Sequence, residues 1–344
     1  MLSSVAINNV HKIAEKIKGQ PCNIVITTHH KPDGDAMGSS LGLFHYLKKY
    51  HHKVIVMPPN DGGKYLHFLP GHDEVFFFED NPEQGRKLLA QADFIFCLDY
   101  GQLSRVNEMG SIIAQSAATK VLIDHHIDPQ PFSHYQLWDE HAAATCQLVY
   151  HFIETLEDTD KIDATIATCL YTGIVTDTGS FRYPATTPHL HRIVAKLMET
   201  GMKHHVVQEM LYSNSSLSRL QFIGYCLSNK LFLLPQYRTA YIVVSREELE
   251  RFNIQTGETE GLVNYALSIE GVIFAALIID RTVKVKLSFR SMGNFPANEF
   301  AAKYFKGGGH FNAAGGESEQ DLETTVQRFI TALSEYKHIL CFSV

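Results

Sequence analysis

The sequence predicts a two-domain α/β protein, a parallel-sheet N-terminal domain followed by a smaller α/β C-terminal domain with a mixed sheet. Three observations predict it. At 344 residues the chain exceeds what one hydrophobic core usually serves. Through the first 180 residues short, near-continuous apolar runs alternate with helical patterns, as in a parallel sheet covered on both faces. Past the polar stretch SNSS at 213–216 the pattern changes to longer strands, two of them tightly joined.

Taken in order, MLSSVAINNVHKIAEKIKG reads as an amphipathic helix without the apolar region of a signal peptide. The apolar runs NIVITT (23–28), KVIVMP (53–58), EVFFF (74–78), FIFCLDY (94–100) and KVLIDHH (120–126) are separated by helical patterns at 35–50 and 82–92. Two further helical patterns occupy 142–156 and 163–181. A helical stretch from 188 to 229 is broken at SNSS, the expected linker, which gives domains of 1–212 and 217–344. Beyond it RTAYIVVS (238–245), GVIFAALIID (271–280) and VKVKLSFRS (283–291) read as strands, the last two joined at DRT like a hairpin.

Composition narrows the function classes. With 45% hydrophobic and 19% charged residues the chain reads as soluble, and its longest apolar run, GVIFAALII, is too short to span a bilayer. A cytoplasmic protein with no membrane partner is expected. Six scattered cysteines without a Cys-x-x-Cys pair argue against a disulfide framework or a zinc knuckle. A net charge of −7 argues against a large nucleic-acid footprint, which depends on neutralising many phosphates. The expected partner is a small nucleotide or short oligonucleotide, not a long nucleic acid; a homodimer is left open.

Three apolar runs end in acids where an open α/β sheet places its ligands. NIVITTHHKPDGD ends in Asp33 and Asp35, FIFCLD in Asp99, and KVLIDHH in Asp124, His125 and His126. Carboxylates crowded together repel, and burying them costs several kcal/mol unless something neutralises them. Two divalent cations, manganese before magnesium, are the economical answer for carboxylate and imidazole donors, and such a pair suits phosphoryl transfer. Asp177 in TGIVTDTGSF supplies one more carboxylate. A plainer reading of Asp35 stands beside this one, as the N-cap of the helix after it. The doublets His51-His52 and His204-His205 read as solvated surface. Neither the EF-hand nor the P-loop pattern fits.

HHKPDGDAMGSS, FCLDYGQLSR, LIDHHID and YTGIVTDTGSF resemble the four motifs of the DHH phosphoesterase superfamily. VKLSFRS with GGGHFNAAGG resembles its DHH-associated C-terminal domain, and the likeness runs from about residue 22 to 336. The resemblance implies one metal held by His29, Asp33 and Asp99 and a second held by Asp35, Asp99, His125 and Asp177, with Asp99 bridging. It implies that Asp124 orients the histidines and that His126 faces the substrate phosphate as donor or general acid, so that His126, Asp124 and Asp99 carry the catalysis.

In the second domain KGGGHFNAAGG offers glycine amides beside a histidine and a helix start, which suits an anion; a glycine triplet alone is more often a flexible turn. With Arg290 at the end of a strand, the expected substrate clamp comprises Arg290, Ser291, Gly307, Gly308, Gly309 and His310, with the active site in the interdomain cleft. Within the superfamily the likeness is greatest to the nanoRNase and pAp phosphatase group, which degrades very short oligonucleotides and dephosphorylates 3′-phosphoadenosine 5′-phosphate (pAp). The alternatives are a phosphodiesterase for cyclic dinucleotides or their linear product, and a non-catalytic nucleotide-binding protein on the same fold.

Overall fold

The computed structural model describes residues 2–255 and 257–342. The chain divides into two compact units, Met1–Asn214 and Ser215–Val344. In the first, strands β1 (Asn23–Thr27), β2 (Lys53–Val56), β3 (Phe94–Leu98), β4 (Thr119–Asp124) and β5 (Tyr135–Trp138) form one sheet in the order β2-β1-β3-β4-β5. Every neighbouring pair is parallel. Alternate residues enter opposite cores: Ile24, Ile26, Phe94, Phe96, Val121 and Ile123 join one, and Val25, Ile95, Cys97 and Leu122 the other. Burial on both faces is the reason these strands read as unbroken apolar runs. The strand order reverses between β1 and β3, so the connections leaving their carboxyl ends diverge and open a crevice there.

Several details depart from the sequence expectations. EVFFF is not a strand; single 3-10 turns at His72–Glu74 and Phe78–Asp80 flank it. Its apolar character comes from packing, since Phe78 is buried against the second core and Phe76 leans on it. β5 carries little apolar signal because Leu137 is its only buried residue. The helical stretch 188–229 breaks twice, into Pro188–Glu199, His204–Tyr212 and Leu217–Asn229. Gly201, with φ of +86°, turns the chain out of the first of these. His52 is not solvated surface: it is 7% exposed, and its Nδ1 accepts the backbone N–H of Cys22.

Two helices fix the places of Asp35 and Asp177. Gly34–Lys48 and Ala164–Asp177 approach so closely that a Cβ on Gly173 would lie 2.3 Å from Cys146 Sγ and 2.6 Å from Asp35 Oδ1. Only a residue without a side chain permits this approach, and it sets Asp35 beside the carboxyl end of the helix bearing Asp177.

The second unit is a six-stranded sheet of β6 (Leu231–Leu234), β7 (Thr239–Val244), β8 (Phe274–Asp280), β9 (Val285–Ser291), β10 (Gly308–His310) and β11 (Ala313–Ser318), in the order β10-β11-β9-β8-β7-β6. β7 and β8 are parallel and the other pairs antiparallel. Phe274, Ala276 and Ile278 face one core, and Ala275, Leu277 and Ile279 the other. The first core is built on phenylalanines, with the Phe274 ring 4.2 Å from Phe295 and 5.1 Å from Phe300. Among the described residues no helix is long and apolar enough to cross a membrane. All six cysteines are free, five of them buried and Cys341 exposed.

Gly173→Ala is expected to cost about 1–3 kcal/mol of stability, the usual penalty for overpacking a tight contact. Urea denaturation measures it, and an unchanged midpoint would contradict the close approach.

Candidate metal centre

The connection leaving β1 carries His29, Asp33 and Asp35, the residue after β3 is Asp99, and β4 runs into Asp124, His125 and His126. These are adjacent strands at the point where the order reverses. Asp177 ends the Ala164–Asp177 helix and joins them from outside the sheet. The structure therefore brings together all eight first-unit residues singled out from the sequence. Most are sheltered: Asp35 and Asp124 are 0% exposed, Asp99 2%, His125 4% and His29 5%.

Asp99 sits at the centre. It has a left-handed backbone, φ +63°, a conformation Asp tolerates better than most residues. Its Oδ2 lies 3.4 Å from His29 Nε2 and its Oδ1 3.5 Å from His125 Nε2, so each oxygen faces a different imidazole. Both rings are held from behind. His29 Nδ1 is 3.1 Å from the carbonyl of His30, and His125 Nδ1 is 3.0 Å from that of Ala142. A donated Nδ1–H at each carbonyl leaves Nε2 as the atom offered to the centre.

Two groups of donors surround these rings. His29, Asp33 and Asp99 bring ligating atoms within 4.8 Å of one another, and so do Asp35, His125 and Asp177. Asp177 Oδ2 is 3.2 Å and Asp35 Oδ2 3.8 Å from His125 Nε2. A third group, Asp99, Asp124 and His126, is equally close. Its internal contact is the 2.8 Å bond between His126 Nδ1 and Asp124 Oδ1.

Asp33, not Asp35, is the helix N-cap, its Oδ1 accepting from the N–H groups of Asp35 and Ala36. Asp35 has another task. Its two oxygens accept the N–H groups of Thr145 at 2.6 Å and Cys146 at 2.9 Å, the first residues of the Thr145–Thr155 helix. Thr145 Oγ1 donates to Asp99 Oδ1 at 3.0 Å. Thr145 and Ala142 are thus site residues that sequence reasoning passed over. The one available signal was the placement of HAAATC at the start of the helical pattern 142–156, which exposes helix N-terminal amides to an anion; the helix itself begins at Thr145.

The electrostatics are those of too many acids in one place. Burial pushes the Asp35 carboxyl well above the usual carboxylate range, and the charges of Asp99 and Asp177 push it the same way. Burial likewise raises Asp177. For Asp99 burial pulls upward but is overcome by His125 and His29, which hold it well below the ordinary value. At His125 burial lowers the value but Asp177 and Asp99 outweigh it, and at His29 Asp99 and Asp33 do the same, raising both. Asp124 Oδ2 is buried with no hydrogen-bond partner among the described residues. Oxygen and imidazole donors in two neighbouring groups, with Asp99 of the first also facing His125 of the second, fit divalent cations, which would relieve this excess of negative charge.

In the second unit Ala313 pairs with Arg290 on one side and with His310 on the other. Directly opposed residues point to the same face, so Arg290 and His310 flank a methyl group on one rung of the sheet. Ser291 faces the other way: its hydroxyl donates to Phe295 O at 2.7 Å and accepts from Asn312 Nδ2. The glycines do not precede a helix start; they lead into β10 and its hairpin with β11. A Cβ on Gly307 would lie 2.0 Å from Gly315 O and one on Gly309 2.6 Å from Ala313 O, so strand packing requires both, while Gly308 faces open space.

Residues 23–174 match the DHH family N-terminal domain and residues 237–338 the DHHA1 domain. The chain is 32% identical to the bifunctional oligoribonuclease and PAP phosphatase NrnA of Thermus thermophilus, over 94% of this chain and 93% of that protein. It is 26% identical to the NrnA of Bacillus subtilis, over 85% and 88%. An exopolyphosphatase-related protein from Bacteroides fragilis has a crystal structure that superposes with a TM-score of 0.94 at 36% identity, covering 99% of both chains. RecJ of Thermus thermophilus, crystallised with Mn2+, shares the fold at 12% identity and a TM-score of 0.55, over 98% of this chain and 55% of that one.

Because His29 and His125 have raised values in the folded chain, the stability their protons contribute is fully present below about pH 6.5 and is lost as pH rises through the folded values. Cations compete with those protons, so they bind more tightly as pH rises. The increase in Tm produced by a fixed Mn2+ concentration should be larger at about pH 8 than at about pH 6. A scanning-calorimetry series showing the reverse would count against this centre.

Proposed function

The chain belongs to the DHH family and carries its DHHA1 domain, and on that premise we propose that it is a phosphoric ester hydrolase that cleaves very short oligoribonucleotides to mononucleotides and removes the 3′-phosphate of pAp. The observation that supports this most is Asp99, whose two oxygens each face a different buried imidazole with its own set of carboxylates. One carboxylate between two donor groups is the arrangement for an in-line displacement at phosphorus.

We assign His29, Asp33 and Asp99 to one cation and Asp35, Asp99, His125 and Asp177 to the other. Manganese is preferred over magnesium because imidazoles stand among the carboxylates. When bound, the pair supplies the charge that acidifies a water and neutralises the phosphate oxygens. The chain's residues do the rest. Thr145 and the amides behind Asp35 fix the carboxylates so that they need not reorganise as charge moves. Water attacks phosphorus, the bond to the leaving oxygen breaks, and that oxygen takes a proton. His126 is suited to deliver it: its side chain is 19% exposed, against 7% for His29 and 5% for His125, and Asp124 orients its ring. Arg290 and His310, on one face of the second sheet, bind phosphate and base, with Gly308 as the glycine left open to a ligand.

The net charge of −7 limits the gain from extra phosphates, so short substrates are favoured. With Mn2+, RNA of about two to five nucleotides should be degraded faster than a strand of about twenty at equal concentration, with weak salt dependence. Faster loss of the long strand with steep salt sensitivity would overturn the assignment, as would hydrolysis undiminished after full metal removal.

Asp99→Asn should lower kcat by far more than tenfold, a barrier increase above about 1.4 kcal/mol. Single-turnover assays on pAp check this, and a smaller effect contradicts the shared role.

A further inference from the structure

Asp61, His67 and His72 lie in the connection after β2 and belong to none of the groups above. His67 Nε2 is 2.8 Å from Asp61 Oδ2, and His72 Nε2 is 3.9 Å from Asp61 Oδ1. The two rings lie 4.3 Å apart and tilted by 33°. One ligating atom from each of the three falls within 4.8 Å of the others. We propose that these residues form a separate site for a borderline divalent cation, zinc above all, which clips together the segment from Asp61 to His72 within this connection.

The connection is already built to present them. Leu66 and Leu69 are buried at 0% and 2% exposure and anchor the segment between the histidines. His45 Nε2, 2.9 Å from Pro70 O, fixes the turn before His72. Asp61 is set by the N–H of Gly63, which donates to its Oδ1. His72 backs onto the Phe77 ring and its side chain is only 11% exposed, while His67 and Asp61 reach solvent at 42% and 40%. The site is therefore half-sheltered and open on one side, as for a cation holding three protein ligands and water. Closing the ligand atoms onto an ion about 2.0–2.2 Å away asks only for small rotations of the exposed ends of Asp61 and His67 toward the sheltered His72.

Donor chemistry separates this site from the carboxylate-rich centre. Two imidazoles and one carboxylate suit zinc, whereas oxygen-dominated groups suit manganese and magnesium. The position also matters. Asn60, next to Asp61, accepts the N–H of Lys31 at 2.8 Å, and its Nδ2 is 3.2 Å from His30 Nε2, in the connection that carries His29 and Asp33. A cation at Asp61 would stiffen the support of that connection.

The test is zinc content after equilibrium dialysis against buffered free Zn2+, read by elemental analysis for the wild type, His67→Ala/His72→Ala and Asp61→Asn. Zinc held at the carboxylate centre cancels in the comparison. The wild type should hold one more equivalent than either variant, while the manganese content of all three stays equal. Zinc should also slow tryptic cleavage after Lys64, exposed within this connection, several-fold in the wild type and in neither variant. Equal zinc content in all three overturns the proposal. If circular dichroism shows the double variant unfolded, the Asp61→Asn comparison decides alone, since that change keeps the side-chain shape and removes the charge.

Discussion

Asp99 is the constraint around which the first unit is arranged. Its carboxylate is almost wholly buried and ionised, and its oxygens are divided between His29, His125 and the Thr145 hydroxyl. An isolated buried carboxylate costs several kcal/mol, far more than the roughly 1–2 kcal/mol of a left-handed residue. The backbone strain is therefore the smaller cost. It is accepted because turning the chain at the residue after β3 aims the carboxylate into the crevice between β1 and β3.

Asp35 shows why partial compensation is insufficient. Two N-terminal amides of the Thr145–Thr155 helix donate to it, and a helix terminus contributes at most about 2 kcal/mol to a favourably placed charge. Burial and two neighbouring acids exceed that, which is why the carboxyl is held well above its ordinary range. The protein keeps this unfavourable group in place through backbone packing, with Gly173 allowing its helix to close on Asp35 and Cys146. Structure has been spent on concentrating acids, which makes sense where a cation completes the set.

How much of this was legible depends on what each feature writes into the sequence. Doubly buried strands leave apolar runs, and acids and histidines at their ends stand out against them, so β1 to β4 and the seven polar residues that end or follow β1, β3 and β4 could be read directly, whereas Asp177 comes from a helix outside the sheet. Contacts made by backbone atoms leave no such mark. The Ala142 carbonyl behind His125 and the amides behind Asp35 belong to residues whose side chains say nothing about them. EVFFF misled for the complementary reason: aromatic residues mark burial, and Phe78 is buried from a 3-10 turn. His52 misled because a doublet reads as polar, while its ring fills a core edge and accepts an amide. The plainer alternative for Asp35, a helix cap, falls to Asp33, because spacing alone cannot tell which of two acids faces the helix amides.

The second unit shows how one sequence feature can carry two demands. The glycines at 307 and 309 read as anion-binding, yet the approach of β10 to β11 already requires them. What remains for recognition is narrower: Arg290 and His310 on a common rung, separated by the methyl of Ala313. Arg290 is partly committed, since its Nη1 donates to the carbonyl of Phe289, and its Nε is buried without a hydrogen-bond partner among the described residues. A guanidinium tethered at one nitrogen has less rotamer freedom to lose on binding a phosphate. In the proposed clamp, one guanidinium fork and one imidazole would meet a terminal phosphate and base while offering no track along which a longer chain could gain.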